Sequence, residues 1–396
     1  MTVVNLLFDY AAEVLAFDFK GAEVAPPPAP PAPDVAERLA GRCAAAFERS
    51  GKARLVLLGL GSGAVAEILA GALPGGTLVV CDQDLPLARA LRGSGRLGWW
   101  RREGPALLAL DASPWALLLL LDRAGLALAD TFVLPNPELP PAAKARLKAL
   151  ELLLTRSKFL PPPTAVPAPR LSVAAILSPA EPDLQGFFAQ MPDWLHELVL
   201  IWDADALPRI AVPERFLVWQ AARPLERDFS AQRNAMLAAC SGDWVLYLDA
   251  DERFSEEAWA ALSLLCADPL IAGWHFPRVT PYPAPGKALV GFGLWPDIQL
   301  RLFRRTSNLR FVNSVHERLT GLVGPQALAL DMEIEHLSRL RKDDDELRRK
   351  LAGFDAAGAG NVRHALSEEY PSLPRDLLSP GRALLPRGLQ LPPDIA

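Results

Sequence analysis

No two cysteines of this chain stand close enough to form a Cys-x-x-Cys pair: Cys43, Cys81, Cys240 and Cys266 are widely spaced. That spacing excludes a disulfide scaffold or a zinc framework, and it reads as four small buried apolar residues of a reducing compartment. Positive charge is not in excess either. A formal net charge of −5 lacks the basic footprint of a dedicated nucleic-acid binder, so no nucleic acid is expected as partner. No apolar run is long and clean enough to cross a bilayer; the greasiest, residues 106–128, is broken by Asp111, Pro114, Asp122 and Arg123. The first residues carry Asp9 and Glu13 where a secretory signal has a basic segment. The expected location is the cytoplasm, free or peripheral to a membrane.

What is present is ample apolar material, 51% of 396 residues, enough for two cores. Residues 1–20 read as a strand or a short helix, and 25–33 (APPPAPPAP) as a polyproline-type spacer. Residues 34–50 have helical spacing behind an Asp cap. Arg54-Leu55-Val56-Leu57-Leu58 is a buried-strand pattern that runs into Gly59-Leu60-Gly61-Ser62-Gly63, a helix over 64–72, and a second strand ending on Asp82-Gln83-Asp84. Strand, glycine-rich turn, helix, strand and acid is the order of a nucleotide-binding βαβ unit. There the glycines let a ligand approach the backbone and the acid can bond ribose hydroxyls. Residues 142–158 read as a helix that stops at Pro161-Pro162-Pro163.

The second half centres on residues 229–254, FSAQRNAMLAACSGDWVLYLDADERF. An amphipathic helix is stopped by Ser241-Gly242-Asp243, where glycine tolerates a left-handed helix end. A buried strand, Trp244 to Leu248, then ends on Asp249-Ala250-Asp251-Glu252. Ligands of open α/β sheets bind outside such strand ends. Strand alternation points Asp249 and Asp251 to one side, where their mutual repulsion calls for a cation or a donor. A hard divalent ion with oxygen ligands supplies that compensation. Acidic surface turns produce the same tripeptide, so the reading rests on the whole segment.

That segment resembles the family 2 glycosyltransferases of the GT-A fold, in the branch with an F-x-x-x-R-N helix ahead of a W-x-L-x-L-D-A-D-E strand end. Phe229, Arg233, Asn234, Trp244, Leu246, Leu248, Asp249, Asp251 and Glu252 are in register. A second signature follows in the right order: Pro296-Asp297-Ile298-Gln299-Leu300-Arg301-Leu302-Phe303, then Phe311 to Glu317 as F-x-x-x-V-H-E. The resemblance covers residues 171–354, under half the chain. It implies Mn2+ or Mg2+ held at Asp249 and Asp251, with His336 reaching the metal or the diphosphate. It also implies a nucleotide-diphospho-sugar donor contacted by Asp203, Asp228, Arg233, Asn234 and Asp249. The acceptor class is a glycan, a lipid-linked glycan or a protein, with inversion at the sugar. Glu317 is the first choice for the base that takes the acceptor proton, and Asp297 the second. Two departures bear on the donor: Ser178-Pro179-Ala180-Glu181 replaces the family's K-N-E, and the Ser and Gly of the turn after Asp203 are missing.

The N-terminal run resembles the first motif of Rossmann-like, S-adenosylmethionine-dependent methyltransferases, since Ala64 and Ala66 replace later glycines. The expected architecture is α/β in two domains. A Rossmann-like module spans 1–160, a Pro-rich linker 161–169, a GT-A domain 170–357, and a Pro-rich, largely irregular tail 358–396. The glycine-bearing stretch 287–294 suits a mobile loop, and 342–350 an exposed helix with paired charges. Two alternatives stay open: a methyltransferase-type enzyme centred on the first module, and a non-catalytic scaffold.

Overall fold

The computed structural model describes residues 3–17, 25–162, 169–314, 316–341, 370–380 and 385–395. The helix expected over 342–350 lies outside them, as does most of the Pro-rich linker. The fold is α/β, built on two separate sheets.

The first module carries β1 (Arg54–Leu58), β2 (Leu78–Asp82), β3 (Ala106–Leu110) and β4 (Thr131–Pro135), all parallel in the order β3-β2-β1-β4. Their unbroken apolar runs fit a sheet covered on both faces. The covering helices are α1 (Val3–Ala16), α2 (Pro33–Ser50), α3 (Ala64–Ala72), α4 (Leu85–Gly93) and α5 (Pro114–Arg123). The ambiguous N-terminus is thus a helix, and it packs on β3. The greasy stretch over 106–128 is β3 followed by α5, whose six residues Ala116 to Leu121 are all buried. Among the described residues no helix is long and apolar enough to cross a membrane. Asp34 does not cap α2: Ala32 holds the cap position and Pro33 the first turn, where a missing N–H does no harm. The single helix expected over 142–158 is two, α6 (Pro141–Arg146) and α7 (Lys148–Arg156), jointed at Leu147.

The second sheet has 11 strands. In chain order they are β5 (Lys158–Phe159), β6 (Leu171–Leu177), β7 (Glu197–Trp202), β8 (Leu217–Ala222), β9 (Trp244–Tyr247), β10 (Glu252–Arg253) and β11 (Gly273–Val279). A short β12 (Lys287–Leu289) stands apart, and β13 (Asp297–Arg304) rejoins the sheet. After the hairpin β14 (Arg310–Val312) and β15 (Arg318–Thr320) come β16 (Gln326–Ala329) and β17 (Ile334–His336). The C-terminal segment adds β18 (Ser372–Pro374), paired with β12, and β19 (Gly388–Gln390). Strands β9, β6, β7 and β8 are neighbours and parallel, so their carboxyl ends share one edge. Helices α8 (Leu184–Ala189) and α9 (Phe229–Ala239) connect them, and α10 (Glu256–Cys266) follows β10.

One expectation is corrected and one is filled in. The Pro-rich tail, where it is described, packs on the second sheet: β19 lies between β5 and β16, and Leu373, Leu378, Leu389 and Leu391 are buried. The isolated leucines are the inward positions of short strands and a helical turn, and Gly388 is required because a Cβ there would come 2.9 Å from the Trp274 ring. The expectation that fails is the mobile loop over 287–294. Ala288, Leu289 and Val290 are buried, and the segment pairs with β18. Buried apolar residues of the first module, α1 included, continue without a break into Val290, Trp295, Leu328, Leu330 and Leu389, so the two units share a core.

Candidate active site

The site begins with α9. Asp228 is its N-cap, accepting from Ala231 N (3.0 Å) and Ser230 Oγ (2.8 Å). Those hydrogen bonds, the Ala231 amide first, hold its pKa below the usual value. The turn that ends α9 is clamped by Glu197 from the start of β7, which accepts from the Ser241 and Gly242 N–H groups. Gly242 is not left-handed, contrary to the expectation for a helix stop. It is there because a Cβ would come 2.5 Å from the Arg170 carbonyl, so β9 can lie tight against β6.

The strand ends at Tyr247, before the acids. Residues 249–252 form a turn, in which Asp249 N–H donates to Glu252 Oε2 (3.1 Å) and Glu252 N–H to the Asp249 carbonyl (3.0 Å). The acids therefore sit in a turn and not on the strand itself. Asp249 faces arginines: its Oδ1 accepts from Arg233 Nη2 (2.9 Å) and its Oδ2 from Arg301 Nη2 (2.7 Å). Burial acts to raise the Asp249 pKa, but the guanidinium groups of Arg301 and Arg233 overcome it and hold the group well below the usual carboxylate range. Arg301 also reaches Glu252 Oε1 (2.5 Å), which Arg278 Nη1 shares (2.9 Å). Both Arg233 and Arg301 lie against the Tyr247 ring, 4.6 and 4.5 Å from its centroid, a favourable placement for a cation. Arg233 Nη1 and Arg301 Nε are buried without a partner, so the network keeps hydrogen-bonding capacity.

Asp251 has its Oδ1 3.6 Å from His336 Nε2. The antiparallel pairing of β10 with β17 sets this, since His336 stands opposite Glu252. Among the described residues no three His, Cys, Asp or Glu side chains are grouped to hold a metal. Two ligands 3.6 Å apart can nevertheless share one cation, because two metal–ligand bonds of ordinary length span up to about 4 Å. The residues therefore fit an ion held by Asp251 and His336 and completed by water and phosphate oxygens.

Glu317 is brought to the network by its loop. Asn234 pairs with the Phe311 backbone in both directions (2.8 and 2.9 Å), and Phe229 N–H donates to the Ser314 carbonyl (3.0 Å). The loop backbone has positive φ at Asn313 and His316, a conformation that asparagine and histidine adopt more readily than most side chains. Glu317 then accepts from Arg233 Nε. Asp297 is engaged by Arg278 and by Gln299 Nε2 (2.6 Å). Burial acts to raise its pKa, but Arg278 outweighs it and holds the group low. Asp203, just past β7, accepts from Leu225 N–H (2.7 Å) and so ties the carboxyl ends of β7 and β8 together.

Two residues of this network, Arg278 and Tyr247, were given no role in the sequence, and Arg301 stood there only as part of the second signature. The signal was there in Arg301, an arginine inside an apolar strand, which implies a buried acid as partner. A cleft of about 740 Å3 opens beside the network, under the β14–β15 hairpin; Tyr247, His275, Gln299, Glu317, Gln326 and Gln390 line it.

No family model matches the chain. A TPR repeat-containing protein of Synechococcus elongatus is 36% identical over 107 residues, which is 27% of this chain and 23% of that protein. The chain thus spans about a quarter of the length of the curated relative it matches. Solved structures with some likeness include the mannosyltransferase PcManGT of Pyrobaculum calidifontis in complex with GDP-Man and Mn2+. It is 16% identical, with 40% of this chain and 50% of that one covered, at a TM-score of 0.27. Another is TarS 1–349 of S. aureus in complex with UDP-GlcNAc: 10% identical, 50% of this chain and 68% of that one, TM-score 0.32.

Proposed function

We propose that the second domain is a GT-A glycosyltransferase of the family 2 type. It moves a sugar from a nucleotide-diphospho-sugar to a hydroxyl of a glycan, lipid or protein acceptor, with inversion. The observation that carries this reading is a juxtaposition at the carboxyl edge of the parallel strands. Asp249 is held by Arg233 and Arg301, Arg233 in turn holds Glu317, and Glu317 and Tyr247 line an open cleft, while Asp251, two residues on from Asp249, stands 3.6 Å from His336.

In this reading Asp251 and His336 hold Mn2+ or Mg2+, which when bound offsets charge on a departing diphosphate. Arg233 has a spare buried N–H, Nη1, and a guanidinium suits phosphate oxygens. Asp249 orients Arg233 and Arg301 as well as facing the donor. Asp203 and Asp228, one ordering the β7–β8 edge and the other the head of α9, frame the nucleotide side, with Asn234 fixing the loop opposite. Glu317 takes the proton of the acceptor hydroxyl as its oxygen bonds the anomeric carbon and the bond to the diphosphate breaks. Asp297, whose pKa Arg278 holds low, is the second candidate.

A non-catalytic scaffold is the rival, favoured by Asp249 having an arginine on each oxygen. Thermal stability with UDP or GDP, with and without Mn2+, separates the two. A ligand at one hundred times its Kd adds about 2.7 kcal/mol to the native state. The transferase requires a metal-dependent rise in Tm that Asp251→Ala abolishes. A flat response to both nucleotides in the presence of Mn2+ sinks it.

A further inference from the structure

The carboxyl edge of the first module's sheet is where a Rossmann-like fold binds its ligand, in the crevice between β1 and β4 where the strand order reverses. The head of α3 and the acids after β2 and β3, which could recognise a nucleotide there, have partners within the chain. The N–H groups of Ser62 and Val65, at the head of α3, donate to the Glu138 carboxylate at 2.7 and 2.8 Å. Glu138 comes from the loop after β4, and its own N–H is held by Asn136 Oδ1 (3.0 Å), while Asn136 Nδ2 donates to the Gly59 carbonyl (3.0 Å).

The glycines serve this internal carboxylate. A Cβ on Gly61 would lie 2.8 Å from Glu138 Oε2, and one on Gly59 would lie 2.5 Å from Leu139 Cδ1. Asp82, the acid placed to bond a ribose, is buried instead: Oδ2 accepts from Leu60 N–H (2.6 Å) and Oδ1 from Asp84 N–H (2.9 Å). At the end of β3, Asp111 accepts from Tyr10 O–H (2.7 Å) and from the Gly293 N–H. The Tyr10 hydroxyl in turn accepts from Gly291 N–H (3.0 Å). That acid therefore grips the second domain, in the segment that leads to Asp297.

We propose that the first module binds no nucleotide or S-adenosylmethionine. Glu138 is a built-in anion filling its glycine-rich turn, and the module acts as a structural partner that fixes the 290–297 segment of the second domain. The inference is independent of the transferase reading, whose nucleotide response depends on Asp251 and metal.

The test uses the full chain. Titration calorimetry with S-adenosylmethionine, NAD+ and ATP, without metal, is expected to give no binding at millimolar concentration. Glu138→Gly is expected to lower Tm by about 4–8 °C, from the loss of two hydrogen bonds to a charged group. Formate should restore part of that loss by entering the vacated turn, and leave the wild type unchanged. Glu138→Gln keeps the shape and one acceptor oxygen; it should fold and lose about half as much. Binding of any of the three probes that Gly61→Val abolishes overturns the proposal. So does an unchanged Tm in both Glu138 variants, or a formate effect equal in variant and wild type.

Discussion

Replacing Arg301 by methionine tests whether the carboxylates at the strand end are held by arginine. Its side chain is 3% exposed and Glu252 is fully buried, so this is a desolvated network. Removing one member of a buried pair leaves a charge without compensation, which costs about 3–5 kcal/mol. Here both acids keep a second partner: Asp249 retains Arg233, and Glu252 retains Arg278. The loss therefore belongs at the lower end, about 3 kcal/mol, or a Tm fall of about 6–12 °C. The pH dependence gives a second reading. Asp249 has a depressed pKa in the folded chain. Such a group adds stability above its unfolded value, and that stability is lost as pH falls through the folded one. Arg301→Met removes part of this contribution, so the deficit is full at neutral pH and shrinks below about pH 4, the ordinary Asp value. Urea unfolding of both proteins at pH 7 and near pH 3.5 measures both. A loss under about 1 kcal/mol at pH 7, or an equal deficit at both pH values, refutes the argument.

Other outcomes follow from the same geometry. Glu317→Gln should slow transfer or donor hydrolysis by about 100- to 10,000-fold, while the metal-dependent Tm response to the nucleoside diphosphate persists; loss of both together would make Glu317 a binding residue. Burial pushes the Asp111 carboxyl up to about 7, above the ordinary value near 3.9. Its contribution is therefore fully present at low pH and lost as pH rises towards 7. Asp111→Asn should flatten the wild-type decline in Tm between pH 5 and pH 7, and an unchanged slope would place the titration elsewhere.

The strands were legible because apolar runs such as Leu55 to Leu58, Leu171 to Leu177 and Trp244 to Leu248 leave little choice but burial in a sheet. The glycine-rich turn and the acids after β9 were legible as motifs too. Their partners were not. Glu138 lies 76 residues from Ser62 and Glu317 lies 84 from Arg233, and no local pattern announces a pairing across such separations. The tail's short strands were hidden for the opposite reason. Its prolines suggested irregularity, yet three-residue strands need only a few inward leucines and a free sheet edge.

The sequence by itself determined the α/β class, the order of helices and strands around both motifs, and the placing of Asp249 and Asp251 at a strand end. Periodicity and turn residues act over a few positions, so the chain carries that information locally. Only the tertiary structure decided what each acid faces: Asp249 its arginines, Asp251 a histidine, and Asp111 the neighbouring domain. It also decided that a glycine-rich turn shaped for a ligand is closed by the chain's own carboxylate. A charge finds its partner through space, and which charges meet depends on how the two sheets pack.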